Sequence, residues 1–238
     1  MAKQTTIEKT LKPITIVPVG IISTPFKQKF GIPRQPNLAK DAEGQIRFTD
    51  TIDVQEACRG IEEFSHLWLV FHFHQHQDRS IAMKVRPPRL GGKQQMGVFA
   101  SRSSFRPSQL GMSVVKNLGI ENGVLKVSGV DLLDGSPIVD IKPYIAYADV
   151  INDAQCGYAH SKPTSEIEVL FDNTVLDKLS MFDVTPSLIQ QVLSQDPRSA
   201  HEKSKNNKKE YKMRLGNADI HWVFTNASQI RVFDIKMG

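Results

Sequence analysis

Ser113-Val114-Val115-Lys116-Asn117-Leu118-Gly119-Ile120, then Glu121-Asn122-Gly123, then Val124-Leu125-Lys126-Val127-Ser128-Gly129-Val130 reads as two strands folded back on each other. Asn-Gly between apolar runs is the strongest short hairpin signal, because both residues tolerate the positive φ of a tight strand-to-strand turn. A second tight turn at Asp134-Gly135 leads into a strand at Ile138–Ile141. Short strands with turns at close intervals favour an antiparallel sheet curling toward a barrel.

Toward the N-terminus, Leu67–Phe73 is a continuous apolar run, the pattern of a buried central strand. Ile14–Ser23 reads as a strand broken by Pro18, which cannot donate to a ladder. Thr24–Gly44 is rich in Pro, Gly and Lys and reads as a long ordered loop, a feature usually tied to function or disorder. Val54–Ile61 has a short helical pattern closed by Gly60, and Met96–Ser101 is a further strand candidate. After about Ala159 the texture changes. Glu166–Phe171 reads as a strand, and Thr185-Pro186 as an N-cap with Pro at the first helical position. Leu188, Ile189, Val192 and Leu193 mark one helical face that stops at Gln195-Asp196-Pro197. Strands follow at Tyr211–Leu215, Ile220–Thr225 and Ile230–Ile235. The expected fold is mainly β: an antiparallel β-barrel domain over residues 14–160 and a small α+β C-terminal subdomain over 161–238.

Charge is unevenly spread. Between Asp78 and Glu121 there is no acidic side chain, yet the window holds Arg79, Lys84, Arg86, Arg89, Lys93, Arg102, Arg106 and Lys116. The chain has 30 Lys and Arg against 25 Asp and Glu, so without this window the acids would outnumber the cations. Such a surface concentrates a polyanion because nothing nearby neutralises its field. Lys203-Ser204-Lys205-Asn206-Asn207-Lys208-Lys209 is a second cationic run, read either as a solvated loop or as another handle for nucleic acid. No stretch approaches the ~18 apolar residues that span a bilayer. Met1–Thr6 lacks the apolar core of a secretory signal, and Cys58 and Cys156 have no paired spacing. These features point to a cytoplasmic protein with reduced cysteines.

Three chemistries are worth weighing. His72, His74 and His76 alternate, so on a strand they would share one face and could hold zinc or iron in a hydrolase or lyase. No Cys pair or His-x-x-Glu spacing supplies further ligands, and a polar pocket wall is the stronger reading of these histidines; no metal is expected. A Gly-x-Gly-x-x-Gly or Walker loop is missing, and strands do not alternate with long helices, so an adenine cofactor would need a non-Rossmann architecture. Arg86, Arg89, Arg102 and Arg106 sit beside prolines or small residues, where stiff loops bring guanidinium forks and backbone N–H groups to phosphate. They suit RNA or a cofactor, and a non-catalytic RNA-binding module is the alternative.

Six ordered motifs carry a resemblance: Ile32-Pro33-Arg34-Gln35-Pro36; Glu63-Phe64-Ser65-His66-Leu67-Trp68; Val85-Arg86-Pro87-Pro88-Arg89-Leu90-Gly91-Gly92; Gly97–Ser103; Phe105-Arg106-Pro107 with Gly111-Met112-Ser113; and Asp134–Tyr144. Together they resemble the TsaA/TrmO-like (YaeB) family of S-adenosylmethionine-dependent tRNA methyltransferases, densely over residues 14–160 and more thinly in the tail, where Gln195-Asp196-Pro197-Arg198 and Tyr211 match. The resemblance implies a β-barrel, homodimeric methyltransferase acting on N6 of threonylcarbamoyl-adenosine beside the anticodon of threonine tRNA. It implies a cofactor pocket near the dimer interface, formed by Arg34, Gln35, Pro36, His74, Gln75, Arg102, Leu110 and the turn Asp131, Leu132, Leu133, Asp134, Gly135 and Ser136. Arg86, Arg89, Arg106, Lys142 and Tyr144 are the candidates for contact with tRNA. Asp134, Lys142 and Tyr144 are the candidates for a base or polarising donor, because the ureido carbonyl delocalises the N6 lone pair. The chain departs from the family pattern at Ser108-Gln109, where Asn-Pro is usual, and at Ser199 and His201.

Overall fold

The computed structural model describes residues 12–76, 82–161, 167–203 and 209–238. In the quoted hairpin, β6 (Leu110–Glu121) pairs antiparallel with β7 (Val124–Ser128). Asn122 and Gly123 have φ of 51° and 75°, the positive pair of a type I′ turn. Four more strands complete the sheet: β1 (Gly20–Ser23), β2 (Glu43–Phe48), β3 (His66–His72) and β8 (Ser136–Pro143). They close in the order β1-β2-β7-β6-β3-β8, every pair antiparallel. A barrel of this size has room inside only for side chains. Ile22, Ile46, Leu67, Leu69, Phe71, Val115, Leu125, Val127 and Ile138 fill it and are buried.

Strand β3 shows why the barrel closes here. Leu67, Leu69 and Phe71 point inward, while His66, Trp68, Val70 and His72 are half-buried on the outer face. The apolar run is therefore an alternating barrel strand with an apolar outer face, not a strand covered equally on both sides. The expected loop ends at Gly44, yet β2 starts at Glu43 and runs on to Phe48, a strand with little apolar signal because only Gly44 and Ile46 face the core. The strand expected from Ile14 begins only at Gly20, and Ile14 and Val17 are exposed. Met96–Ser101 forms just two strand residues, β5 (Met96–Gly97), paired with β4 (Lys84–Val85) outside the barrel. Val98–Ala100 then turns, with Val98 buried as an anchor. The helical pattern after Val54 shortens to α1 (Val54–Ala57), and Gly60 at φ 84° redirects the chain. Beyond β8 comes the short α2 (Ala146–Asp149).

The C-terminal sheet has the order β10-β11-β12-β9, built from β9 (Glu168–Phe171), β10 (Glu210–Leu215), β11 (Ala218–Asn226) and β12 (Gln229–Met237). Strand β9 runs parallel to β12 and is followed by α3 (Asn173–Lys178). The capped helix forms as expected: α4 (Pro186–Leu193) starts where Thr185 Oγ1 accepts the Leu188 N–H at 3.1 Å. Leu188, Ile189, Val192 and Leu193 are all buried. Trp222, fully buried, stacks on Tyr211 with ring centroids 4.5 Å apart. The long loop after β1 lies against this subdomain, and Gly31, at φ 94°, leaves no room for a Cβ beside Met213.

Candidate functional site

At one end of the barrel β3 gives out beside the start of β6, with His72 opposite Leu110. The join is made by Gln109. Its N–H donates to Arg106 O at 3.0 Å, its carbonyl accepts from Phe73 N at 2.9 Å, and its side-chain oxygen lies 3.1 Å from His72 Nε2. These bonds hold Gln109 at φ 51°, a left-handed conformation that a non-glycine residue adopts at some cost. Proline, with φ fixed near −65°, cannot take this conformation. The departure at Ser108-Gln109 thus puts a left-handed residue where the resemblance expects a proline.

His74 and Gln75 follow in a turn, so the period-two reading of three histidines fails because the strand ends at His72. Burial, then the neighbouring His72 and Lys29, lower the pKa of His74, while Asp134 opposes them. His74 is thereby kept as a neutral imidazole. Lys29 Nζ donates to Gln75 O at 3.1 Å. Among the described residues no group of three or more His, Cys, Asp or Glu is placed to hold a metal ion.

The turn after β7 packs on the loop after β1. Thr24 Oγ1 donates to Leu132 O at 2.9 Å, and Thr24 N donates to Asp134 Oδ1 at 2.8 Å. Lys27 pairs with Asp134 Oδ2 at 2.9 Å. Both Asp134 oxygens are thus engaged, one by the Thr24 N–H and the other by Lys27. Leu132 is 1% exposed and belongs to the core, whereas Leu133 is half-buried. Ser136 is buried with its hydroxyl on Leu133 O at 2.7 Å, and Gly135 is exposed at φ 75°.

Asp131 is different. Burial lifts its pKa to about 6, against the pull of a 2.6 Å hydrogen bond from Ser113 Oγ and of the Arg102 charge. Arg102 Nη1 donates to Gln35 Oε1 at 2.7 Å. Gln35, Arg102, Asp131 and Ser113 therefore form one cluster of donors and acceptors, with Pro36 next in the chain half-buried. Arg34 turns away, its guanidinium 3.4 Å from Arg198 O.

Asn37 was not foreseen. Its N–H donates to Gly129 O at 2.9 Å and its amide to Val114 O at 3.0 Å, pinning the loop over β6 and the end of β7. Its φ of 62° is a backbone state that Asn tolerates better than most residues, so Pro36-Asn37 was a turn signal in the sequence.

The proposed catalytic trio is not assembled. Strand β8 runs from the Asp134 end to the opposite end, so Lys142 lies roughly 25 Å from Asp134 along the strand. Lys142 pairs with Asp140 at 3.0 Å, and Tyr144 packs near His66 and Trp68 at centroid distances of 6.4 and 6.0 Å. Of the arginines, Arg86 is exposed beside the buried Pro87, and Arg89 holds Ser161 through its carbonyl and its hydroxyl. Arg106 is half-buried, with Nη1 3.5 Å from Ser101 O. Lys203 pairs with Asp196 at 3.2 Å and Lys209 with Glu202 at 3.0 Å, whereas 204–208 lie outside the described residues.

Residues 21–150 match the family described as tRNA-methyltransferase O N-terminal domain, and residues 164–238 match the TrmO C-terminal domain. A Pseudomonas aeruginosa protein, RcsF, whose name describes S-adenosylmethionine-dependent methyl transfer, is 42% identical over 229 residues, 94% of this chain and 98% of that one. The Escherichia coli tRNA (adenine(37)-N6)-methyltransferase is 42% identical over 217 residues, 88% of this chain and 92% of that one. The crystal structure of TrmO from Pseudomonas aeruginosa superposes with a TM-score of 0.79 at 37% identity, covering 94% of this chain and 99% of that one.

Proposed function

This chain belongs to the tRNA-methyltransferase O family, and we propose that it moves a methyl group from S-adenosylmethionine to N6 of threonylcarbamoyl-adenosine beside the anticodon of threonine tRNA. The observation that carries this reading is the Gln35–Arg102–Asp131–Ser113 cluster where the long loop meets strand β6 of a non-Rossmann barrel. Its donor set fits the cofactor. Arg102 suits a carboxylate, Gln35 and Asp131 offer acceptors to ammonium or hydroxyl groups, and half-buried Pro36, Leu110 and Leu133 offer an apolar wall. A neutral His74 adds no charge beside a sulfonium.

The cofactor supplies an activated methyl, so the protein's task is alignment of an in-line attack at close range. Asp131, ionised above about pH 6, is better placed than Lys142 or Tyr144 of the same chain to take up the N6 proton. On the RNA side we place Arg86, Arg89 and Arg106. Lys142 and Tyr144 join them at the far end of the barrel or serve the second subunit of a homodimer. A dimer is supported by Met112, Leu118 and Ile120 of β6, which are 57%, 41% and 38% exposed on the outside of the barrel. We divide the chain into a methyltransferase domain (14–160) and a C-terminal subdomain (161–238), acting in the cytoplasm where tRNA is modified.

The test is to incubate the protein with methyl-labelled S-adenosylmethionine and threonine tRNA with or without the threonylcarbamoyl group. Label on the modified tRNA alone supports the reading. Label on both, or on neither, rejects it.

A further inference from the structure

The segment from Arg34 to Asp41 is held from two sides. On the barrel side Gln35 accepts from Arg102 at 2.7 Å, and Asn37 bonds Gly129 O and Val114 O. The C-terminal subdomain reaches the same segment three times. Arg34 Nη2 meets Arg198 O at 3.4 Å, Gln195 Nε2 donates to Leu38 O at 3.1 Å, and Asp41 N donates to Gln191 Oε1 at 3.0 Å. Gln191 lies in α4 and Gln195 just past its end, one turn on, where its amide also donates to Gln191 O at 2.7 Å. Both glutamines grip backbone, so they fix the path of the segment whatever side chains it carries.

We propose that Gln191 and Gln195 are positioning residues for the cofactor site: they hold segment 34–41 so that Gln35 and Pro36 stand against Arg102. The C-terminal subdomain is then part of the cofactor machinery and not only an appendix to the barrel. The inference rests on the Gln35–Arg102 end being the cofactor pocket.

The two amides work with opposite polarity. Toward the segment Gln191 serves as an acceptor while its Nε2 donates to Ser187 Oγ at 3.2 Å, and a glutamate of the same shape can accept from both Asp41 N and the Ser187 hydroxyl. Gln195 serves as a donor, and a glutamate there would set a carboxylate against the Leu38 carbonyl. Gln191→Glu is therefore expected to keep the S-adenosylmethionine affinity within about twofold of wild type. Gln195→Glu and Gln195→Ala are expected to weaken it about tenfold (~1.4 kcal/mol), raising the cofactor KM with little change in kcat at saturation.

The experiment measures S-adenosylmethionine Kd by calorimetry, together with Tm, on the full chain and these three variants, with Gln35→Ala as control. Weakened binding in Gln195→Glu and Gln195→Ala, with Gln191→Glu near wild type, supports the brace. Wild-type affinity in both Gln195 variants beside a weakened Gln35→Ala overturns the brace alone, even if their Tm falls. Equal losses in Gln191→Glu and Gln195→Glu also overturn it. Wild-type affinity in Gln35→Ala overturns the pocket itself, and the brace with it.

Discussion

Asp131 carries the most informative single charge in the site. Its pKa, raised from 3.8 to about 6 by burial, means that the folded chain holds this proton more tightly than the unfolded chain does. Ionisation above about pH 6 therefore costs stability, and the cost fades as pH falls from 6 toward 3.8. Cofactor affinity should run the other way, weakening as pH drops through 6 and the negative charge that faces the cofactor's ammonium is lost. Asp131→Asn should bind weakly at every pH yet be no less stable than wild type at pH 8. Calorimetric titrations and melting curves between pH 5 and 8 check both signs. Gln109 gives a second prediction at this scale. Gln109→Gly keeps the left-handed backbone and loses only the His72 contact, whereas Gln109→Pro cannot keep it and should cost more than about 1 kcal/mol. Denaturant unfolding of the two variants separates these outcomes.

Among the elements, the long loop after β1 decides how the site is held, and Gly31 is its tightest point. Gly31→Ala adds a methyl where Met213 already sits and forces alanine to φ 94°, so it should destabilise the chain by about 1–3 kcal/mol, read as a shift in denaturant midpoint at constant slope. The hairpin at Asn122-Gly123 and the helix capped by Thr185 were legible in the sequence because each rests on local chemistry. Strand β2 was not, because its pairing partners lie far away in sequence and Gly44 gives it little apolar periodicity. Met96–Ser101 misled for the opposite reason: its apolar residues anchor a turn, with Val98 buried and Phe99 77% exposed. At the site, Arg102 was legible from the acid-free window as a ligand-facing cation, whereas Gln35 and Asp131 were legible only through the motif resemblance. Lys27, Asn37 and Ser113 were missed because their roles are set by loop docking, which composition does not encode. Lys142 and Tyr144 share one motif with Asp134 and the chemistry of a base or polarising donor, and an extended strand carries them to the other end of the barrel.

For the whole molecule, the acid-free window sets the sign of the charge, and the fold separates its cations in space. Arg102 faces the Gln35–Asp131 cluster, whereas Arg86 stands on the small β4–β5 hairpin outside the barrel. Removing a phosphate contact flattens the salt dependence of RNA binding by slightly less than one unit of log–log slope. Arg86→Ala should therefore weaken tRNA binding, with a reduced salt slope and unchanged cofactor affinity. Filter binding across a salt series reads both quantities. Arg102→Ala should show the converse, because its guanidinium is bonded to Gln35 in the proposed pocket. Calorimetry of S-adenosylmethionine binding to wild type and Arg102→Ala, with melting curves on both, decides whether Arg102 holds the cofactor. One cofactor per chain is expected for wild type, with binding at least about tenfold weaker and Tm unchanged in the variant, the scale of a lost charge-assisted hydrogen bond; wild-type affinity in Arg102→Ala would remove Arg102 from the cofactor site.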